Sequence, residues 1–160
     1  MTEKKIKTRI QLKKILSRLK AARKKIVFTN GCFDILHRGH VSLLEKAKGF
    51  GDVLVVAVNT DSSVRKIKGS GRPLNSLSDR LRVLAAIEAA DYVTWFAEKD
   101  PARIIKELRP DVIVKGGDWR ASDIVGREFV RLYGGRVKTV PYVKGCSTTS
   151  FIAAVRSGKK

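Results

Sequence analysis

The stretch IVFTNGCFDILHRGH, residues 26–40, decides how the chain folds. Ile26-Val27-Phe28 is a short apolar run that gives way to Thr29-Asn30-Gly31, and Val53 to Val58 is a second run, richer in valine. Neither alternates polar with apolar, the pattern of strands covered on both faces, and β-branched side chains favour extended backbone. Between the runs, Val41, Leu43, Leu44 and Ala47 recur at helical spacing until Gly49 and Gly51, where glycine favours a stop. The segment predicts one β-α-β unit.

Upstream, Leu12, Ile15, Leu16 and Leu19 fall at i, i+3, i+4 and i+7, so residues from about 8 to 23 read as an amphipathic helix with Lys13, Lys14, Arg18 and Lys20 outside. Downstream, a long loop over 59–72 precedes a helix capped by Ser76 and carried by Leu77, Leu81, Leu84 and Ala85. A third strand is expected at 91–95. Asp100-Pro101 then opens a helix with proline at its first position, and that helix ends at Arg109-Pro110. Val112 to Val114 reads as a fourth strand. Ser122 is the expected cap of a helix through Val125, Phe129, Leu132 and Tyr133, closed by Gly134-Gly135. Arg136 to Val140 is a fifth strand, and Ser147 or Thr148 opens a last helix through Val155.

Five short strands alternating with helices predict an α/β, Rossmann-like, doubly wound five-stranded parallel sheet. It is expected to be a single domain over 1–160, with a basic amphipathic helix in 1–24 and the α/β core in 25–156. Ligands of such sheets sit beyond the carboxyl ends of the strands. That places the chemistry in the segments 30–40, 59–72, 95–100, 115–120 and 141–149.

Composition narrows the class. Lys and Arg number 34 against 15 Asp and Glu, a formal net charge of +19 over 160 residues, yet 43% hydrophobic content excludes a disordered basic tail. The two cysteines, Cys32 and Cys146, lack CxxC spacing and support neither a disulfide framework nor a zinc site. No apolar run approaches the roughly 20 residues of a membrane helix, and no signal peptide is evident. A cytoplasmic chain with no membrane insertion is the expectation. The net charge suits an anionic partner, with a solvated basic surface as the plain alternative.

Both histidines of the chain, His37 and His40, follow the first strand three residues apart, which directs both imidazoles to one side of a helix start. Gly39 between them allows close approach to the backbone, and the helix amino terminus favours an anion. Metal ligation by the pair needs a third ligand, for which Asp34 is the only obvious choice. Phosphate chemistry accounts better for a histidine pair at this place. GxGxxG and P-loop fingerprints are absent, against a dehydrogenase or kinase.

Gly31-Cys32-Phe33-Asp34-Ile35-Leu36-His37-Arg38-Gly39-His40 resembles the HxGH signature of the cytidylyltransferase-like nucleotidyltransferases, and Cys146-Ser147-Thr148-Thr149-Ser150 resembles their second signature. Phe28 to Asp34, Val58-Asn59-Thr60-Asp61 and Val114 to Trp119 together resemble the adenylyltransferase domain of bacterial heptose-phosphate enzymes, over about residues 7 to 156. The resemblance implies transfer of AMP from ATP to D-glycero-β-D-manno-heptose 1-phosphate, giving ADP-heptose and pyrophosphate for lipopolysaccharide or surface glycan synthesis. It implies His37 and His40 as catalytic donors to the α-phosphate, with their protonation left open by an ordinary pKa near 6.5. It implies nucleotide contacts from Cys32, Phe33, Gly39, Lys115, Gly117, Ser147, Thr148 and Thr149. Substrate contacts are implied for Asn30, Asp34, Asn59, Asp61, Lys68, Arg72, Arg80 and Asp118, with Lys66 as a further loop cation.

Mg²⁺ carried by the ATP phosphates, with no protein metal ligand, and a homodimer are implied as well. Lys144 stands where relatives often have an acidic residue, and Tyr142 stands where cytidylyltransferases have an arginine, which fits ATP better than CTP. Two other readings stand beside this one. The first is a cytidylyltransferase acting on glycerol 3-phosphate or a related alcohol phosphate. The second is a basic nucleic-acid-binding module, which leaves both signatures unexplained; no specific nucleic acid partner is expected.

Overall fold

The computed structural model describes residues 2–117, 119–141, 143, 145 and 147–158. Its five strands are β1 (Ile26–Gly31), β2 (Val53–Asn59), β3 (Tyr92–Phe96), β4 (Val112–Gly116) and β5 (Arg136–Val140). They form one parallel sheet in the order β3-β2-β1-β4-β5. The order reverses direction between β1 and β4, so the crevice of a doubly wound sheet opens there. All seven residues of β2 are buried, as a strand covered on both faces requires.

Two helical layers provide that cover. On one face, α2 (Arg38–Lys48) and α4 (Leu77–Ala86) bury Leu44, Ala47, Leu81 and Leu84 against Val27, Leu54, Val56 and Val114. On the other, α1 (Arg9–Ala21), α5 (Ala102–Leu108) and α6 (Arg127–Arg131) bury Leu12, Leu16, Ile104, Ile105 and Val130 against Phe28, Val55 and Ile113. Each such side chain contributes about 1.5–3 kcal/mol when fully buried. Val41, counted in the α2 stripe from spacing, lies at its rim with 36% exposure.

The caps follow local chemistry. Thr8 and Gln11 form a reciprocal capping box at the start of α1, and the Ser76 hydroxyl accepts from the Asp79 amide at the start of α4. The edge of β3 is covered by the chain's own beginning: Ile6 bridges Val93 in parallel and the Lys7 amide donates to the Val93 carbonyl at 2.9 Å, which removes a template for foreign strands. At the amino ends of the strands, carboxylates receive strand-entry amides: Asp111 from Ile26 at 2.7 Å, Asp91 from Leu54 at 2.6 Å and Asp52 from Lys25 at 2.7 Å.

Three expectations need correction. The supposed loop after β2 contains a helix, α3 (Asp61–Lys68), capped by Thr60, whose hydroxyl accepts from the Ser63 amide. Its buried residues are Ser63 and Val64, too few to print an apolar stripe on the sequence. Ser122 does not cap a long helix; it sits in a 3-10 turn, Ala121–Asp123, and its hydroxyl donates to the Asp123 carboxylate at 2.7 Å. The following helix is confined to Arg127–Arg131 because Gly126 takes φ +90°, where a side chain would meet Ile105 at 2.8 Å; Leu132 is left 84% exposed. Proline is also not inside α5: Pro101 precedes its first residue, and the Asp100 carboxylate accepts from the Ala102 amide.

Candidate functional site

The site begins where β1 runs out. Phe33 takes φ +48°, a left-handed backbone that costs a non-glycine residue energy, and its ring folds back over Gly31. A side chain at Gly31 would meet that ring at 3.2 Å. The turn ends at His37, whose extended backbone (φ −144°, ψ 169°) makes it the residue before the first turn of α2. His40 lies three residues on, and the His37 amide donates to His40 Nδ1 at 3.4 Å. The two imidazoles stack with centroids 3.9 Å apart and planes 28° apart, and Phe33 lies 5.3 Å from the His40 ring.

This packing settles a protonation question that composition leaves open. Burial, reinforced by the neighbouring His37, pushes His40 down to about 4, and burial also lowers His37. His40 is therefore neutral at pH 7. With Nδ1 accepting from the backbone, its proton resides on Nε2, which leaves that nitrogen as the donor. Among the described residues, His37 Nδ1 is buried and has no hydrogen-bond partner.

A second group of predicted residues surrounds Cys32. Arg80 belongs to α4, its side chain is 1% exposed, and it donates to Asn75 O at 3.1 Å, Cys32 O at 2.5 Å and Asp61 Oδ1 at 2.6 Å. Arg80 and Asp61 thus brace β1 against α3 and α4. Lys66 and Lys68 are exposed at the end of α3. Asp34, 4% exposed, accepts from Arg72 Nε and from the Leu74 and Asn75 amides. Burial opposes its charge, but the amides of Asn75 and Leu74 and the Arg72 guanidinium hold the carboxyl below its ordinary value. Burial pushes the Cys32 thiol up, against the charges of Lys68, Arg80 and Arg72 nearby.

Across β1, Lys115 Nζ donates to Asn30 O at 3.0 Å and lies 5.5 Å from the Trp119 ring, which is 46% exposed. Asn30 Oδ1 is buried and has no partner among the described residues. Asn59 is buried and donates to Ser63 Oγ at 2.9 Å, which turns it toward α3. Gly117 lies in an exposed turn after β4, and Gly39 is partly buried in the first turn of α2. The second signature starts the last helix, α7 (Thr148–Arg156), and reaches the first: Thr148 Oγ1 donates to Ile35 O at 3.5 Å. Ser147 is half-buried and Thr149 exposed. Asp118, Tyr142, Lys144 and Cys146 lie outside the described residues.

Sequence reasoning missed Asn75, whose side-chain amide donates to Asp34 O at 2.5 Å. Its partner lies 41 positions away, so no local signal exists. Trp119 was assigned no role of its own, although an exposed aromatic beside a lysine marks a surface for a planar or anionic group.

These features define a doubly wound α/β domain with the histidine-bearing start of α2 at its switch point. The chain belongs to the cytidylyltransferase-like family, whose sequence profile matches residues 28–154. It is similar to the Bifunctional protein HldE of Koribacter versatilis, 53% identical over 148 residues, which is 92% of this chain and 30% of that protein. The similarity to the Bifunctional protein HldE of Hahella chejuensis is 49% over 146 residues, 91% of this chain and 31% of that protein. The chain thus spans under a third of the length of these relatives. The crystal structure of the lipopolysaccharide core biosynthesis protein from Thermoplasma volcanium is 30% identical with a TM-score of 0.63, covering 77% of this chain and 99% of that one. Pantoate-beta-alanine ligase from Francisella tularensis, 16% identical with a TM-score of 0.59 over 94% of this chain and 76% of its own, shares the fold.

Proposed function

We propose that the chain transfers AMP from ATP to D-glycero-β-D-manno-heptose 1-phosphate, releasing pyrophosphate and giving ADP-heptose for lipopolysaccharide or surface glycan synthesis. The observation that carries the reading is the hydrogen bond from Thr148 Oγ1 to Ile35 O. It sets the hydroxyl-rich start of α7 beside the histidine turn, 113 positions away in sequence, where one polyphosphate spans both. The family match and the similarity to a lipopolysaccharide core biosynthesis protein support this reading.

The chemistry is an in-line displacement. An oxygen of the sugar phosphate bonds to the α-phosphorus of ATP, the bond from that phosphorus to the bridging oxygen breaks, and pyrophosphate leaves with the electron pair. The protein's contribution is positioning and stabilisation of charge on the non-bridging oxygens. His40 donates through Nε2–H, and His37, whose Nδ1 lacks a partner among the described residues, contacts the same phosphate. Phe33 and Gly39 shape the backbone for close approach; Ser147, Thr148, Thr149 and the first amides of α7 take the outer phosphates. Lys115 and Gly117 flank the nucleoside, and Asp118 is assigned to the sugar phosphate. Mg²⁺ enters as part of the ATP substrate: Asp34, near the histidines in sequence, has its oxygens engaged by protein donors. The reading includes a homodimer.

The test is pyrophosphate release from ATP and from CTP across heptose, hexose and polyol phosphates. Turnover with ATP and the heptose 1-phosphate is the expected result. Turnover confined to CTP and glycerol 3-phosphate overturns it.

A further inference from the structure

One carboxylate in the site is occupied in a way that sugar binding does not explain. Asp34 was expected among the groups that hold substrate hydroxyls, yet its side chain is 1% exposed. Oδ1 accepts from the amides of Leu74 at 2.8 Å and Asn75 at 2.9 Å; Oδ2 accepts from Leu74 N at 2.9 Å and from Arg72 Nε at 2.5 Å. Asn75 Nδ2 closes the loop by donating to the Asp34 carbonyl at 2.5 Å. A carboxylate has about four lone-pair sites; three N–H donors engage them, the Leu74 amide shared between both oxygens, and with the side chain 1% exposed little is left for a hydroxyl.

What this binding fixes is the segment between α3 and α4. It starts at Gly69 and Gly71, where an added Cβ would meet nothing within 4 Å, so these two glycines face open space. Its second half is tied to Asp34 by five hydrogen bonds. Arg72 gives only Nε to Asp34; among the described residues its two Nη groups have no hydrogen-bond partner, and its side chain is 18% exposed. Arg72, Lys68 and Arg80 all act electrostatically on the Cys32 thiol, so the three cations gather at the exit of β1. Arg80 is consumed by its own three acceptors. Arg72 and Lys68 remain to meet an anion.

We propose that Asp34 is a positioning residue: its carboxylate orients Arg72 so that the Nη groups, with Lys68, take the phosphate of the acceptor substrate beside Cys32, apart from the triphosphate held by α2 and α7. The proposal rests on the adenylyltransferase reading for the identity of the acceptor. Pairing through Nε with the Leu74 and Asn75 amides behind it makes the Asp34 carboxylate a fixed mount rather than a competitor for the incoming charge.

The test compares Arg72→Gln, Asp34→Asn and the double variant in AMP transfer to the heptose 1-phosphate. Each single variant should raise KM for the acceptor by roughly 10-fold, the size of one lost charge-assisted contact, while KM for ATP holds. The double variant should be no worse than the worse single one, because Asp34 acts through Arg72. An unchanged acceptor KM in Arg72→Gln, an equal rise in KM for ATP, or multiplying effects in the double variant overturns the proposal. Should Asp34→Asn fail to fold, Arg72→Lys takes its place: it keeps the charge but loses the guanidinium fork, and an acceptor KM near wild type refutes the oriented contact. If the wild-type chain transfers no AMP, the functional reading fails separately. ³¹P line broadening of inorganic phosphate then decides the subsite, with loss in Arg72→Gln supporting it and equal broadening refuting it.

Discussion

The two signatures meet at one place but are held there in different ways. The first is fastened on every side: Asp34 is tied to the α3–α4 segment, Cys32 O receives Arg80, and Phe33 and His40 pack ring against ring. The second rests on α7, none of whose described side chains is buried; Phe151 is 53% exposed and Val155 76%. It reaches the first signature through the 3.5 Å hydrogen bond from Thr148 Oγ1 to Ile35 O. Preorganisation is thus concentrated where bond-making is proposed, while the arm proposed to receive the leaving pyrophosphate carries little packing energy of its own.

The braced half can be broken most directly at Arg80. Arg80→Ala removes a buried guanidinium with three acceptors and strands Asp61, and should cost on the order of 3 kcal/mol of unfolding free energy, read as a lower midpoint in urea. A change below about 0.5 kcal/mol would show that the brace is dispensable. His40→Ala tests the same half without its scaffold: turnover should fall at least roughly 100-fold, the scale of one lost charge-stabilising donor, with the circular dichroism spectrum retained. A folded variant with near wild-type turnover sinks the assignment.

The loose half is probed by hydrogen exchange. A non-hydrolysable ATP analogue should slow exchange in α7 far more than in α2, since only α7 lacks buried side chains to protect it beforehand. Equal slowing in both would erase the contrast. The smallest effect concerns pH. The folded-state pKa of His40, about 4, lies below its ordinary value of 6.5, so between these values the unfolded chain binds more protons. Stability attached to neutral His40 is complete above pH 6.5 and is lost as pH falls toward 4. The thermal midpoint of wild type should therefore drop more than that of His40→Gln on going from pH 7 to pH 5. Parallel curves would contradict the buried neutral imidazole.

The same contrast separates what was legible in the sequence from what was not. β1, α2 and β2 could be read because apolar runs and helical spacing are local, and the histidine pair sits within a single turn of chain. α3 was hidden because a helix burying little beyond Ser63 and Val64 leaves no periodic stripe, although Thr60 ahead of Asp61 is the cap that would have revealed it. The extent of α6 was misjudged because Val125 and Phe129 continue the pattern across Gly126, whose left-handed backbone ends it. Roles for Asp34 and Arg80 as internal anchors were illegible for another reason. Apart from the Asn75 carbonyl five positions from Arg80, the partners cited lie 19 to 48 positions away, and a lone acidic or basic residue reads as a ligand contact until its bonds are seen.

The carboxylates that receive strand-entry amides have a bearing on how fast such a protein finds its reactants. Asp52, Asp91 and Asp111 all gather at the amino ends of the strands, while Lys68, Arg72 and Lys115 stand at the opposite rim. Two of these carboxylates are paired with lysines at the same end, Asp52 with Lys24 and Asp91 with Lys48, so they subtract little from the overall charge of +19. A diffusing polyanion is drawn to such a molecule before it touches anything, and that guidance fades as added electrolyte shortens the reach of the field.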